Sequence, residues 1–256
     1  MPRLDFRVAD GEDSTMKEII QSLLGILGFG LIRLQKQPLD SFFSLLKQQG
    51  FAPKHVIDVG ANHGNWTRVA FNYFPDAYYT LVEPQDWLKT YVQDILARNG
   101  KIRWIGAGVG DKPGTLPFHV SHRDDSSTFV FTPEEAKAEG FRQIEVPVTT
   151  LNDIARTSDA PFPDMVKIDA EGLDLRVLAG ASEFIGKTDI FLLEAAICPQ
   201  NLENTLGNVI QTMAQADYRI IDITELNRSP KCGALWLCEV AFLRNGSRLL
   251  DRLEYE

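Results

Sequence analysis

Two groups of residues in this chain have the types and the spacing to do chemistry. The first is Asp58, Gly60 and Gly64, followed by Glu83. Glycine lets a backbone come close to a ligand, because no Cβ stands in the way. Glu83, at the end of the strand that follows, can accept both hydroxyl protons of a ribose. Asp58 can face an ammonium group, directly or through water, and the Asn62 amide can reach a carboxylate or a ribose. The second group is Asp169, Glu171 and Glu194. Carboxylates of this kind either take up a proton as general bases or hold a divalent cation, with Asp169 and Glu194 as the candidate metal ligands.

The elements that must position these residues read as an α/β fold. The apolar run His55-Val56-Ile57 is a buried strand, and it breaks into a Gly-rich turn through Gly64. A helix over 65–73 presents Val69, Ala70 and Tyr73 on one face, and a second strand, 78–82, ends in Glu83-Pro84. Strand, glycine turn, helix, strand and terminal carboxylate is the wiring of a nucleoside-binding βαβ unit. The dinucleotide fingerprint G-x-G-x-x-G cradles a pyrophosphate. Here the spacing is G-x-x-x-G with an acid just ahead, which suits a cationic, amino-acid-bearing nucleoside better.

Further along, a helix is expected over 86–98 and a third strand over 102–109, closed by Gly110-Asp111. Residues 115–150 alternate like antiparallel strands and form a strand-rich insertion of the kind that builds a lid or substrate pocket. Parallel rhythm resumes with strands over 165–168 and 190–193, each followed by a helical pattern. Two last strands, 218–223 and 234–243, have no helix between them and so pair as an antiparallel hairpin at the sheet edge. The expected sheet is therefore mostly parallel, with helices on both faces. Asp169, Glu171 and Glu194 follow its fourth and fifth strands, at the carboxyl edge where open α/β sheets bind ligands.

The 256 residues suit one α/β domain, 51–256, preceded by an N-terminal helical extension, 1–50. A net charge of −9 with no Lys/Arg block argues against a nucleic-acid partner. Cys198, Cys232 and Cys238 form an odd set without C-x-x-C spacing, read as reduced thiols of a cytoplasmic protein. No cleavable signal peptide is evident. The apolar stretch 19–34 is short for a membrane span, which needs about 20 residues. It reads as an amphipathic helix that packs on its own domain, on a second copy in a homodimer, or on a membrane surface.

Several separated pieces together resemble the FkbM-type methyltransferases: VIDVGANHGNWT, LVEP, GAGVGDKPG, the DDSST segment, VPVTTLNDI, VKIDAEGLDLRVLAGA and LLEA. The resemblance covers roughly residues 54–196 and implies a class I (Rossmann-like) methyltransferase fold. It also implies S-adenosylmethionine as methyl donor and O-methylation of a hydroxyl on a sugar, glycan or natural product. In this frame Gly60, Ala61 and Gly64 lie under the methionyl and ribose parts of the donor, and Glu83 holds the ribose. Gly108, Val109 and Asp111 border the adenine, unless Asp111 serves only its turn. Ser126, Ser127 and His122 fall on the donor or acceptor side, with His122 a candidate base. Asp169 and Glu171 stand beside the reacting centre and Glu194 faces the same crevice. Glu171 has a helix-capping alternative, and Lys167 is expected to pair with Asp169. Asn152 and Leu173-Asp174 depart from the usual T-L-D and Ala-Glu patterns. Two other readings stand beside this one. A non-catalytic nucleoside-binding module would share the fold, and a nicotinamide-dependent oxidoreductase lacks its middle glycine here.

Overall fold

Every residue of β1 (His55–Val59) is buried, so this strand needs a neighbour on each edge and cover on each face. It has both. β2 (Tyr78–Val82) and β7 (Met165–Ile168) pair with it in parallel, the latter placing Asp58 beside Lys167. This computed structural model describes residues 37–98, 100–122, 127–198 and 203–253. The apolar stretch 19–34 lies outside them.

The remaining strands are β3 (Ile102–Ile105), β4 (Gly108–Val109), β5 (Gly114–Val120), β6 (Arg142–Thr149), β8 (Ile190–Ala196), β9 (Tyr218–Arg228) and β10 (Leu235–Arg244). Seven of the ten form one sheet in the order β3-β2-β1-β7-β8-β10-β9. β10 runs antiparallel to both β8 and β9, and the other pairings are parallel. The fold is α/β, with the strand order of class I methyltransferases. β4, β6 and β5 make a separate three-stranded sheet, so the strand-rich insertion is a second layer beside the ligand edge.

Two apolar clusters cover the faces. One gathers Ile57, Val166, Ile168, Leu193, Val240 and Phe242 with the helices Asp174–Ala179 and Leu206–Gln215. The other gathers Val56, Leu81, Met165 and Leu192 with the helix Asn65–Tyr73. The helix Pro38–Gln48, grouped with the extension by the sequence, adds Phe42, Phe43 and Leu46 to this second cluster and is part of the domain.

Two elements differ from expectation. The helix expected over 86–98 is a 3-10 turn, Asp86–Val92, followed by the single helical turn Gln93–Leu96. The strand expected over 102–109 is two strands in different sheets. It breaks at Gly106, where a Cβ would lie 2.4 Å from the Asp86 carboxylate. Asp86 is itself tied to the indole N–H of Trp104 at 2.8 Å. That close crossing costs the run its continuity and turns Gly108 and Val109 towards the insertion.

Candidate functional site

A cavity of about 540 Å³ opens at the carboxyl ends of β1, β2, β7 and β8. Gly60, Asn62, Glu83, Gly108 and Val109 line one part of it, and Asp169, Glu171 and Glu194 line another. Phe118, Ser127 and Phe129 of the insertion and Glu225, Asn227, Trp236 and Leu237 of the C-terminal hairpin complete the wall.

The glycine turn is held against the sheet by its own backbone. The N–H groups of Gly60 and Ala61 donate to the Val82 carbonyl at 2.9 and 3.1 Å. Gly60 has φ +72°, and a Cβ there would sit 1.8 Å from the Asp169 carbonyl. Glycine is required by the approach of the two ligand-edge turns to each other, one carrying Asn62 and the other Asp169. Gly64 also has positive φ, but its missing Cβ makes room for Val92 and Ile95. Neither Gly64 nor Ala61, which is buried, lines the cavity. The reason is packing: both face the helical side of the turn.

Glu83 is nearly buried, and its carboxylate accepts from the backbone N–H of Asn62 at 2.9 Å and of Gln85 at 3.0 Å. The Gln85 side-chain amide adds a contact at 3.3 Å. Burial pushes the Glu83 pKa up, against these hydrogen bonds. Gln85, which sequence reasoning did not single out, also accepts from the Ser127 hydroxyl at 3.3 Å. Ser127 is thereby placed in the cavity wall beside Glu83. Ser126 lies outside the described residues. His122 is exposed and does not line the cavity, because the chain leaves the small sheet just before it.

Asp58 and Asp111 stand elsewhere than expected. Asp58 is fully buried and does not line the cavity. One of its oxygens accepts from the Thr67 hydroxyl at 2.5 Å, and the other stands 3.5 Å from Lys167 Nζ with no hydrogen bond of its own. The ammonium it faces is thus the protein's own. Asp111 is bound by the Arg176 guanidinium at 2.9 Å, which holds its carboxyl below the usual range. Gly110 joins the small sheet by donating to the Thr149 carbonyl, and this carries Asp111 out of the cavity.

The second group of acids does converge. Lys167 Nζ lies 3.0 Å from Asp169 and 3.2 Å from the Gly60 carbonyl, so one buried cation joins both turns. Burial, then the nearby Asp169 and Asp174 charges, pushes both Glu171 and Glu194 well above the usual carboxylate range. Glu171 has φ +52°, and its carbonyl accepts from the Thr128 hydroxyl. The N-cap residue of the helix Asp174–Ala179 is Leu173, which makes no side-chain capping hydrogen bond. Among the described residues, no group of three or more His, Cys, Asp or Glu is arranged to hold a metal ion. The expected metal pair, Asp169 and Glu194, lines the cavity, with Asp169 3.0 Å from Lys167 Nζ.

Two further acids are buried, and neither was read as a site residue from the sequence, although Asp174 was noted as part of the Leu173-Asp174 departure. Glu239 is buried on β10, accepts from the Thr224 hydroxyl at 2.5 Å and is raised by burial to about 7. Asp174 is fully buried, accepts from the Ala170 N–H and the Asn204 amide, and is raised by burial to about 7. An acid opening the helix two residues after Asp-Ala-Glu-Gly was the available signal. The unfolded value is about 3.9, so between these pH values the folded state binds the extra proton. That stability is complete below the unfolded pKa and is lost as pH rises through about 7. Thermal melts are accordingly expected to weaken from pH 5 to pH 8, and Asp174→Asn to flatten the trend. Parallel trends in the two proteins would refute a protonated Asp174.

An FkbM methyltransferase domain matches residues 58–220, which hold both turns and the three converging acids. The chain belongs to the FkbM methyltransferase family. No curated protein matches the sequence. Among solved structures, an O-methyltransferase from Bacillus cereus in complex with SAH is similar at 9% identity, with 93% of this chain and 94% of that one covered and a TM-score of 0.49. A putative O-methyltransferase from Klebsiella pneumoniae matches at 10% identity, 92% coverage of both chains and a TM-score of 0.48. The O-methyltransferase TomG from Streptomyces achromogenes, in complex with SAM, matches at 12% identity, 91% coverage of both and a TM-score of 0.47. For this FkbM chain the strand order, rather than these likenesses, defines the fold. No helix among the described residues is long and apolar enough to cross a membrane.

Proposed function

We propose that this protein transfers the methyl group of S-adenosylmethionine to a hydroxyl of a small-molecule or glycan acceptor. The observation that supports it is one cavity shared by a nucleoside-suited wall (Gly60, Asn62, Glu83, Gly108) and an acidic wall (Asp169, Glu171, Glu194). Its volume is in the range of sites that enclose a cofactor-sized ligand. When bound, the donor supplies a sulfonium-activated methyl group for in-line displacement. The chain's own work is to orient the acceptor and to take up its proton, and orientation is the larger gain.

Glu83 suits the ribose because its oxygens face the cavity wall with acceptor capacity left after Asn62 and Gln85. Phe118 and Phe129, with ring centroids 4.6 Å apart, give the same region an apolar side suited to adenine. On the acidic wall, Asp169 is neutralised by Lys167, so Glu194 and Glu171 are the stronger candidates for the base. Glu194 lies within β8, held between β7 and β10, and is the better positioned of the two. A raised carboxyl pKa brings a base closer to neutrality, where proton uptake from a weakly acidic hydroxyl is most effective.

Calorimetric titration with S-adenosylhomocysteine, with NAD as control, tests the donor side. Wild type is expected to bind the former and not the latter, and Glu83→Ala to weaken binding by about 10- to 100-fold, the loss of a charge-assisted hydrogen bond. Binding of neither ligand by wild type would overturn the enzyme reading in favour of a non-catalytic module.

A further inference from the structure

Glu225, Asn227 and Trp236 line the cavity from beyond residue 220, where the FkbM match ends. Their strands are irregular at this point. Leu235 pairs with Arg228 and Leu237 with the adjacent Asn227, so Trp236 is the extra residue of a β-bulge. A bulge bends its strand and re-aims a side chain, and bulges gather beside active sites. This one is anchored, since the Trp236 carbonyl accepts from the Ile197 N–H at 2.9 Å. Yet Trp236 remains 47% exposed, a large apolar surface left in water at a cavity mouth.

The acids beside it are arranged at a cost. Glu194, Glu239 and Glu225 are directly opposite one another across β8, β10 and β9. Like charges in such positions oppose pairing. Lys167 and the Thr224 hydroxyl moderate the central one. Among the described residues, neither Glu225 nor Asn227 has a side-chain hydrogen bond or ion pair. An acceptor carboxylate, an amide with donors and acceptors, and an indole thus stand together at one wall with their recognition capacity unused.

We propose that Trp236, Glu225 and Asn227 form an acceptor subsite for a neutral pyranose ring, presenting one of its hydroxyls to Glu194. The inference rests on the methyl-transfer reading above and names its substrate class. A pyranose has an apolar C–H face that packs on an indole and a rim of hydroxyls that donate to Glu225 and exchange hydrogen bonds with Asn227. A planar phenol would use the indole and leave Glu225 and Asn227 idle. An anionic sugar would meet the row of carboxylates and be repelled.

The test is transfer of a labelled methyl group from S-adenosylmethionine by the full chain. The acceptors are neutral methyl hexopyranosides, free or as the terminal unit of an oligosaccharide, against hexuronates, catechols and acyclic hexitols. S-adenosylhomocysteine binding is measured in parallel. Neutral pyranosides are expected to be methylated in preference, and the free and terminal forms together show whether the ring is taken alone or on a chain. Trp236→Ala is expected to raise the acceptor KM roughly tenfold, the loss of one ring-stacking contact. Trp236→Phe should recover most of that, Asn227→Ala should raise KM in the same sense, and all three should keep S-adenosylhomocysteine binding. Equal turnover of catechols or hexitols would overturn the proposal. So would an unchanged KM in Trp236→Ala, or no pyranoside turnover by a protein that binds S-adenosylhomocysteine. Failure of wild type to bind S-adenosylhomocysteine would instead overturn the donor reading, and the subsite with it.

Discussion

Glu194→Gln is expected to lower kcat by about 10²- to 10⁴-fold, the usual weight of a positioned general base. Glutamine keeps the shape and removes only the proton-accepting charge. Glu194 stands on β8 in the cavity wall, separated by β1 and β7 from β2, which Glu83 follows, so S-adenosylhomocysteine should bind the variant as it binds wild type. The pH profile provides a second check. Burial and the Asp169, Asp174 and Glu171 charges raise the Glu194 pKa, so the required carboxylate form appears only as pH rises through that raised value. In wild type kcat should therefore climb with pH, with its midpoint above the usual carboxylate range, and that limb should vanish in Glu194→Gln. The midpoint belongs to the coupled acids together, because Glu171 lies in the same field. A variant with near-normal kcat and an unchanged limb would move the base to Glu171, whose own Gln variant is then the decisive one.

Lys167→Met is expected to destabilise the fold by about 3–5 kcal/mol, the cost of leaving buried charge unpaired. For a domain of this size that is roughly a 10 °C fall in melting temperature. Lys167 is 5% exposed, and its ammonium is the partner of Asp58, Asp169 and the Gly60 carbonyl. Asp58, at 0% exposure, would keep only the Thr67 hydroxyl. Burial already pushes the Asp58 pKa up, so the variant should lose less stability at pH 5 than at pH 8, as Asp58 takes up a proton. Asp58→Asn in the Lys167→Met background should restore much of the melting temperature, which a simple packing defect would not allow. An unchanged melting temperature in the single variant would show that water or another cation replaces Lys167.

These two expectations bear differently on the sequence. That Lys167 pairs with Asp169 follows from strand alternation, which puts both on one face, and the structure shows the pair at 3.0 Å. That the same ammonium also meets Asp58 and the Gly60 carbonyl depends on the register of β1 against β7, more than 100 positions apart in the chain. The N-terminal boundary illustrates the same limit. The periodicity of 38–48 announces an apolar face but not the surface it covers, and Phe42 and Phe43 are core residues of the domain.

The sequence by itself determined the βαβ wiring, the glycine turn, the closing hairpin and the acids that follow β2 and β7, while β8 runs two residues past Glu194, the acid expected to close it. These are local properties, written in strand alternation, turn chemistry and the residue that follows each apolar run. Tertiary structure alone decided which of those groups share a cavity. It turned Asp58 inward to Lys167 and Asp111 outward to Arg176, and it buried Asp174 and Glu239. It also brought Trp236 from the end of the chain to face a turn at residue 60. The physical reason is that register, sheet order and a single-residue bulge set these meetings, and each arises from packing between segments that carry no mark of one another in the chain.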